Sequence, residues 1–126
     1  MKECKYCGEI ATTESHHIVS RKQQPALINC EFNKIDLCIN CHKGTKGAHG
    51  KYPEEIQKRL KLQFQRNLYE LFDKDQLTLD EIQETLKIRY KDAIKLVRMI
   101  YPKAGLYKKE DVIRACMGGK LVLEDE

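Results

Sequence analysis

Cysteine and histidine side chains are the residues of this chain best suited to chemistry, and they concentrate in residues 1–52. Cys4 and Cys7 form one Cys-x-x-Cys knuckle, and Cys38 and Cys41 form a second one further along the chain. Two such knuckles can place four thiolates around one Zn²⁺, and a zinc ion whose four positions are all filled by protein is structural. Four unrelated thiols or two redox pairs are the alternatives, but the histidine-rich context favours a metal. We therefore predict a structural zinc ion at the two knuckles.

The four histidines lie between the knuckles and just after them. His16 and His17 are adjacent, and adjacent side chains on a strand point to opposite faces, so one can face a metal ion and the other a substrate. His42 directly follows the last cysteine, where the zinc site would hold it rigidly. A hydrolytic metal site needs few protein ligands, because water and phosphate oxygens complete the shell of a hard ion. A neutral imidazole can also accept a proton from water, which is the general-base role.

This order and spacing resemble the HNH endonuclease family, in particular its small zinc-stapled members from phages and prophages. The resemblance covers residues 3–50, and its four segments together are far more specific than any one alone. The segments are Cys4–Cys7, Glu14–Ile18, Asn33–His42 and Gly47–Gly50. The resemblance implies a ββα-metal fold, in which two strands, a connecting loop and a helix surround one divalent ion. It also implies hydrolysis of DNA phosphodiester bonds that leaves a 5′-phosphate and a 3′-hydroxyl.

The resemblance also assigns roles to individual residues. His17 would be the general base that activates water. Asn33 would hold the second strand and the loop so that His17 points correctly, and it could also bond the imidazole. His16 and His42 would bind the catalytic ion, which is expected to be Mg²⁺, Mn²⁺ or another divalent ion.

The role of His49 stays open, because many family members instead carry a histidine one helical turn after His42, where this chain has Lys46. Gly44 and Gly47 also disfavour a long helix at this point. His49 could fold back to the ion, touch a phosphate, or be an exposed polar residue. Four cations near these histidines are candidates for phosphate contacts or for a solvated surface: Arg21, Lys22, Lys43 and Lys46.

Composition places limits on the remaining function classes. The chain has 126 residues, 33% charged and 41% hydrophobic, which predicts a water-soluble protein with limited core material. Its net charge of +4 does not by itself indicate a nucleic-acid partner. No apolar run approaches the ~18 residues of a membrane span, and the N-terminus lacks a signal-peptide core. We therefore expect a cytoplasmic protein with no membrane partner, where the reducing environment favours metal binding over disulfides.

The elements that must position these residues fall into three segments of the chain. Residues 1–52 hold only short apolar pieces, which predict brief strands held by a metal rather than by a large core. Residues 53–75 predict a connecting helix that begins at a proline and buries one apolar face. That face consists of Ile56, Leu60, Phe64, Leu68 and Phe72. The expected class is α+β, with a small zinc-stabilised ββα-metal domain followed by an all-α domain.

Residues 76–126 predict a helix-turn-helix-like DNA-binding domain. Thr78 and Glu81 have the spacing of a capping box that starts its first helix. The next helix is expected to face inward through Ala93, Ile94, Val97, Ile100 and Tyr101. Its opposite face would contact DNA through Lys91, Lys95 and Arg98, with Arg89 nearby. A plain helical bundle with a solvated basic face is the alternative.

Smaller features complete the sequence-based expectations. Residues 109–117 predict a further helix, and residues 120–123 predict a small strand. Cys30 and Cys116 lack a partner at knuckle spacing, so they are expected to be buried as small hydrophobic residues.

Together these patterns predict a metal-dependent HNH endonuclease whose N-terminal half cuts DNA and whose helical tail binds it. One active site cuts one strand, so double-strand cleavage would need a homodimer or successive nicks. The competing hypothesis is a non-catalytic, zinc-containing DNA-binding or adaptor protein of a phage or prophage. A third hypothesis is a protein that is active only with partners in a phage packaging or recombination complex.

Overall fold

The computed structural model describes residues 1–124, and within them the chain has a mixed α+β fold of three two-stranded antiparallel sheets and five α-helices. The strands are β1 (Lys2–Glu3), β2 (Ile10–Ala11), β3 (Thr13–His17), β4 (Lys34–Cys38), β5 (Gln76–Leu77) and β6 (Tyr107–Lys108). The helices are α1 (Ile39–Lys43), α2 (Glu54–Leu71), α3 (Leu79–Leu86), α4 (Tyr90–Val97) and α5 (Lys109–Cys116). The expected α+β class is therefore confirmed.

The N-terminal unit is a strand pair followed directly by a short helix. β3 and β4 pair in a register that runs from Thr13 opposite Cys38 to His17 opposite Lys34. α1 begins at the next residue and ends after one turn, where the Gly44 N–H bonds the carbonyl of the residue four earlier. This strand–strand–helix order is the one that the family resemblance implies.

The connection between β3 and β4 is built into the helical core. It contains two 3₁₀ turns, Pro25–Leu27 and Glu31–Asn33. Its apolar residues pack in one cluster with α2 to α5, and these are Val19, Ala26, Leu27 and Cys30. The expectation that residues 1–52 lack a conventional core is wrong for this connection, because its apolar residues are buried against the helices. The boundaries at residues 52 and 75 remain a prediction about independent folding units.

α2 joins the two cores of the molecule. All five residues of its predicted apolar face are buried, which confirms the stripe. Phe64, Leu68 and Phe72 belong to the large helical core, whereas Ile56 and Leu60 pack beside the cysteines in a smaller cluster. The helix therefore fixes the cysteine-rich end relative to the rest of the protein.

The first helix of the predicted helix-turn-helix begins as expected. Both bonds of the capping box are present: the Thr78 N–H donates to Glu81 Oε1 at 2.9 Å, and the Glu81 N–H donates to Thr78 Oγ1 at 3.1 Å. α3 ends at Leu86, the capping residue Lys87 has a left-handed φ of 54°, and α4 begins three residues after Lys87. Two helices joined by a tight turn are thus confirmed.

The inward face of α4 differs from the prediction. Ile94 is 41% exposed and Tyr101 is 94% exposed, so the prediction that both face inward is wrong. The buried apolar residues of the helix are Ala93, Leu96 and Val97. Both sets of positions fit a helical period, and packing against α3 and the first 3₁₀ turn selects the second set.

The C-terminal segment closes over α2 without forming a strand. α5 is confirmed, but the strand expected at residues 120–123 is wrong. The backbone of Val122 instead bonds the side-chain amide of Gln65, with its N–H at 2.8 Å from Oε1 and its carbonyl at 3.0 Å from Nε2. Cys30 and Cys116 are both fully buried, as predicted. Within residues 1–124, every helix is too short or too polar to traverse a bilayer.

Candidate metal centre and active site

The four knuckle cysteines converge on one point. Their sulfur atoms all lie within 4.8 Å of one another, and the Sγ atoms of Cys7 and Cys38 are 3.8 Å apart. A tetrahedral zinc site with Zn–S bonds of about 2.3 Å has sulfur–sulfur edges of about 3.8 Å. All four are free thiols rather than disulfides. This cluster could therefore bind a structural zinc ion, as the spacing predicts.

Tight local turns place the sulfur atoms. The Gly8 N–H donates to the carbonyl of Cys4 at 2.9 Å, and Gly8 adopts a φ of 83° that a side chain would disfavour. In the second knuckle, Cys38 caps α1 and its Sγ accepts the Cys41 N–H at 3.4 Å. Burial raises the pKa of the Cys4 thiol. Hydrogen bonds from backbone N–H groups of both knuckles outweigh this effect and lower the pKa to about 6. These donors favour the thiolate form that binds metals.

Three histidines form a second cluster, separate from the cysteines. His16 comes from β3, His42 from α1, and His49 from the loop after α1. Their ring centroids are 4.8–5.2 Å apart, and each offers a ring nitrogen within 4.8 Å of the other two. His16 and His42 are buried, whereas His49 is exposed. The structure thus gives His49 a place in the cluster, beside the two ligands expected from the resemblance.

Backbone hydrogen bonds turn the loop after α1 back toward the helix. The His49 N–H donates to the carbonyl of His42 at 2.7 Å, and the Ala48 N–H donates to the carbonyl of Cys41 at 2.9 Å. Gly47 permits this approach, because a Cβ there would lie only 2.7 Å from the carbonyl oxygen of Asn40. The third imidazole is therefore positioned by a tight loop rather than by a longer helix.

A carboxylate orients one ring of this cluster. His42 Nδ1 lies 2.9 Å from Glu14 Oε1, and Lys43 Nζ lies 3.2 Å from the other oxygen of Glu14. These hydrogen bonds, first that from His42 and then that from Lys43, lower the pKa of Glu14, so the group is an ionised carboxylate that accepts a hydrogen bond from His42 Nδ1–H. Nε2 of His42 is then the nitrogen left for a metal. A carboxylate behind a ligating imidazole is a common device for fixing its tautomer and orientation.

Glu14→Ala is expected to weaken binding of Ni²⁺ at the three histidines by about 10–100-fold, because His42 loses the group that orients its ring. Calorimetric titration of the zinc-loaded protein with Ni²⁺ measures the effect. Lys43→Ala is the matched control, since it removes the other partner of Glu14 and keeps the bond to His42. Equal Ni²⁺ affinities for the wild-type protein and Glu14→Ala would contradict this role.

The electrostatics of the cluster keep its most buried ring neutral. Burial, followed by the positive charge of neighbouring histidines, lowers the pKa of His16 to about 4. An imidazole with this pKa is uncharged at pH 7 and offers a lone pair there. His16 is thus able to act as a metal ligand at neutral pH.

His17 is held apart from the other three rings. It points away from His16 on β3, and its Nε2 lies 2.8 Å from the backbone carbonyl of Ile28. A carbonyl only accepts hydrogen bonds, so Nε2 carries the hydrogen, and in the neutral ring Nδ1 is the basic nitrogen. The ring also lines the same cleft as the three clustered histidines. The alternation of neighbours on a strand thus separates the two imidazoles, as the sequence predicts.

Asn33 acts on the loop rather than on the imidazole. Its fully buried side chain accepts the Val19 N–H at 2.8 Å and donates to the carbonyls of Val19 and Leu27 at 2.9 and 3.2 Å. All three bonds go to backbone groups, and the His17 ring instead donates from Nε2 to the carbonyl of Ile28. Asn33 pins the loop whose carbonyl orients the ring, which agrees with the positioning role implied by the resemblance.

A cleft of about 870 Å³ opens beside the four histidines. Its cationic lining residues are Arg21, Lys22 and Lys61, and none of its lining side chains in the described part of the chain is a carboxylate. Lys43 and Lys46, the other two expected phosphate contacts, do not line it. The cleft is therefore suited to an anion that reaches the histidine cluster.

The predicted DNA-binding face of α4 is exposed. Lys91, Lys95 and Arg98 are all accessible, and Ile94 lies among them. Arg89 is exposed as well, but its Nε bonds the buried carboxylate of Asp92 at 3.1 Å. Three cations of this surface are thus available to phosphates, and the fourth has an internal partner.

Sequence reasoning missed three contributions to the site: Glu14, the Ile28 carbonyl and Lys61. Only Glu14 carried a usable signal, because it lies two residues before His16 and so shares its face of the strand. Comparison of the chain with protein-family models, curated proteins and solved structures finds no match. The inference of function therefore rests on the geometry and chemistry of the site itself.

Proposed function

We propose that the protein is a metal-dependent, HNH-type endonuclease that hydrolyses DNA phosphodiester bonds. The observation that carries the proposal is the division of labour among the histidines. Three imidazoles gather as a ligand set, and a fourth, His17, is held apart with one nitrogen free at the same cleft. A purely structural role for the histidines would not require this separation.

The donor set favours a transition-metal ion at the cluster of His16, His42 and His49. Neutral imidazoles suit Zn²⁺, Ni²⁺ or Co²⁺, whereas Mg²⁺ prefers oxygen ligands. Of the divalent ions that the resemblance allows, we therefore propose one of these three rather than Mg²⁺. When bound, the ion would supply positive charge to the scissile phosphate and to the leaving 3′ oxygen.

The chain itself supplies the base and the substrate contacts. His17 Nδ1 would take a proton from the attacking water, while the carbonyl of Ile28 holds the ring in place. Arg21 and Lys22 would bind phosphates on either side of the scissile bond. These groups act without reading bases, so the cleft contributes affinity but little sequence preference.

We propose that the α4 surface provides the second contact with DNA. Lys91, Lys95 and Arg98 would bind backbone phosphates, and the exposed Ile94 would meet base edges in a groove. α4 packs against the 3₁₀ turn Pro25–Leu27 of the connection that also lines the cleft. One duplex bound on α4 could thus be presented to the histidines at a fixed distance.

Nicking of supercoiled plasmid DNA tests the proposal. The zinc-loaded protein is expected to nick with Ni²⁺, Co²⁺ or added Zn²⁺, and to nick more slowly with Mg²⁺, because the ligands are imidazoles. EDTA should abolish the reaction. His49→Ala should reduce nicking with every ion, since it removes one ligand from an exposed position.

The competing function predicts a different outcome of the same experiment. DNA binding without nicking under any divalent ion would favour a zinc-containing DNA-binding or adaptor protein. The proposed α4 surface would then carry the function, and the histidines would not. Nicking that appears only after addition of a partner from a phage packaging or recombination complex would favour the third hypothesis.

A further inference from the structure

α2 lies along the candidate active site, although it is outside the segments that carry the family resemblance. Gln57 Nε2 donates to the carbonyl of Ala48 at 2.7 Å, immediately before His49 in the chain. Lys61 is one turn further on the same helix face, and it lines the cleft together with the histidines. The helix thus brings a lysine to the histidine cluster from a distant part of the chain.

Lys61 differs from Arg59 and Arg66 of the same helix, each of which has a counter-charge among the described residues. Arg59 bonds Glu55 at 2.9 Å, and Arg66 bonds Glu124 at 2.9 Å. Lys61, by contrast, has no hydrogen-bond or ion-pair partner within residues 1–124.

The surroundings of Lys61 make this lack of a partner unfavourable. The side chain is half-buried in a cleft whose described lining has cations and imidazoles but no carboxylate. Like charges in a partly desolvated cleft repel one another. A bound anion would attract these cations and so offset their repulsion.

We propose that Lys61 binds the phosphodiester group of the substrate beside the three histidines. The inference rests on the proposed function and extends it, because it names a substrate-binding residue outside residues 3–50. An ammonium group at the end of a flexible stem contacts phosphate oxygens as a point charge, without base selectivity. The N-terminal unit would therefore form a complete substrate site only with α2 in place.

Three variants of the full-length, zinc-loaded protein test the role of Lys61. Lys61→Met removes the charge, Lys61→Arg restores it, and Arg59→Met removes a cation from the same helix outside the cleft. The first measurement is binding of thymidylyl-(3′→5′)-thymidine, a phosphodiester too short to reach α4, followed by NMR. The second is the KM and kcat of oligonucleotide nicking as a function of salt.

Lys61→Met is expected to weaken dinucleotide binding about tenfold and to raise KM more than it lowers kcat. The salt dependence of KM should lose about one unit of slope, as expected for one phosphate contact. Lys61→Arg should recover most of the binding, and Arg59→Met should match the wild-type protein. Unchanged dinucleotide binding in Lys61→Met, or an equal loss in Arg59→Met, would overturn the inference.

The two measurements separate this inference from the proposed function. Dinucleotide binding that depends on Lys61 in a protein that never nicks DNA would support the phosphate site and refute the nuclease. Metal-dependent nicking with identical binding and KM in Lys61→Met would support the nuclease and refute the role of Lys61.

Discussion

His17→Ala is expected to lower the rate of metal-dependent nicking by about 10²–10⁴-fold, the usual contribution of a general base. The reason is geometric: the Ile28 carbonyl occupies Nε2, so Nδ1 is the one nitrogen of the ring free to take a proton from water. Because His17 is outside the three-histidine cluster, zinc content and Ni²⁺ binding should remain those of the wild-type protein. Single-turnover nicking at saturating protein measures the rate without a contribution from product release.

Two controls separate the loss of a base from general damage to the site. Ser15→Ala changes an exposed polar residue of the same strand that also lines the cleft, and it should keep nearly full activity. Added imidazole should partly restore nicking by His17→Ala, because a small base can occupy the space left by the ring. A variant that binds Ni²⁺ and DNA normally and still nicks at the wild-type rate would remove His17 from the mechanism.

Residue spacing was sufficient to predict those parts of the fold that depend on neighbours in the chain. The capping box of Thr78 and Glu81 satisfies backbone groups three residues apart, so its two bonds follow from the local sequence. The knuckle of Cys4 and Cys7 is equally local, since one turn of backbone sets the separation of its sulfur atoms. The alternation of His16 and His17 follows from the pleat of a single strand.

The position of His49 could not be predicted in this way, because it depends on how closely a loop can approach α1. Gly44, Gly47 and Gly50 recur every three residues, and a side chain at each would collide with backbone atoms nearby. From the sequence, Gly44 and Gly47 indicate that the helix is short, but they do not indicate the direction of the chain after it. The direction is set by bonds to carbonyls of α1, which only the folded structure shows.

Contacts between side chains of different elements could not be predicted from the sequence either. Glu14 meets His42 only because the pairing of β3 with β4 brings the start of α1 beside it. Lys61 reaches the cleft only because α2 docks on the loop before His49 through Gln57. A strand or helix period identifies the face on which such a residue lies, but not the element that the face will meet.

The sequence also could not predict which face of α4 is buried. Ala93 and Val97 belong to both helical patterns that the sequence of α4 allows, so they could be assigned correctly from spacing. Ile94 and Leu96 distinguish the two patterns, and both residues are equally apolar. The choice depends on packing with the connection between β3 and β4, which carries no periodic signal of its own.

Replacing Cys7 is expected to have the largest effect on stability. Cys7 is exposed, and most exposed substitutions change the free energy of unfolding by about 0.5 kcal/mol or less. A zinc ligand differs, because metal binding supplies about 10–16 kcal/mol of folding free energy in zinc-finger peptides. If the cysteine cluster binds zinc as proposed, we expect Cys7→Ser to abolish tight zinc binding and to lose at least about 3 kcal/mol of stability in the N-terminal unit. Metal analysis and hydrogen exchange of the β3 and β4 amides measure the two effects.

Cys30→Ala is the matched control, since Cys30 is fully buried but outside the knuckles. Cys30→Ala should lose packing energy in the large core but keep one zinc per chain, whereas Cys7→Ser should lose the zinc. Amides of the large core around Phe64 should stay protected in Cys7→Ser, because that core does not include the cysteine cluster. Since His42 directly follows Cys41 in α1, loss of zinc should also abolish Ni²⁺ binding at the histidines. Normal Ni²⁺ binding by a zinc-free Cys7→Ser protein would contradict this dependence of the histidine cluster on the zinc site.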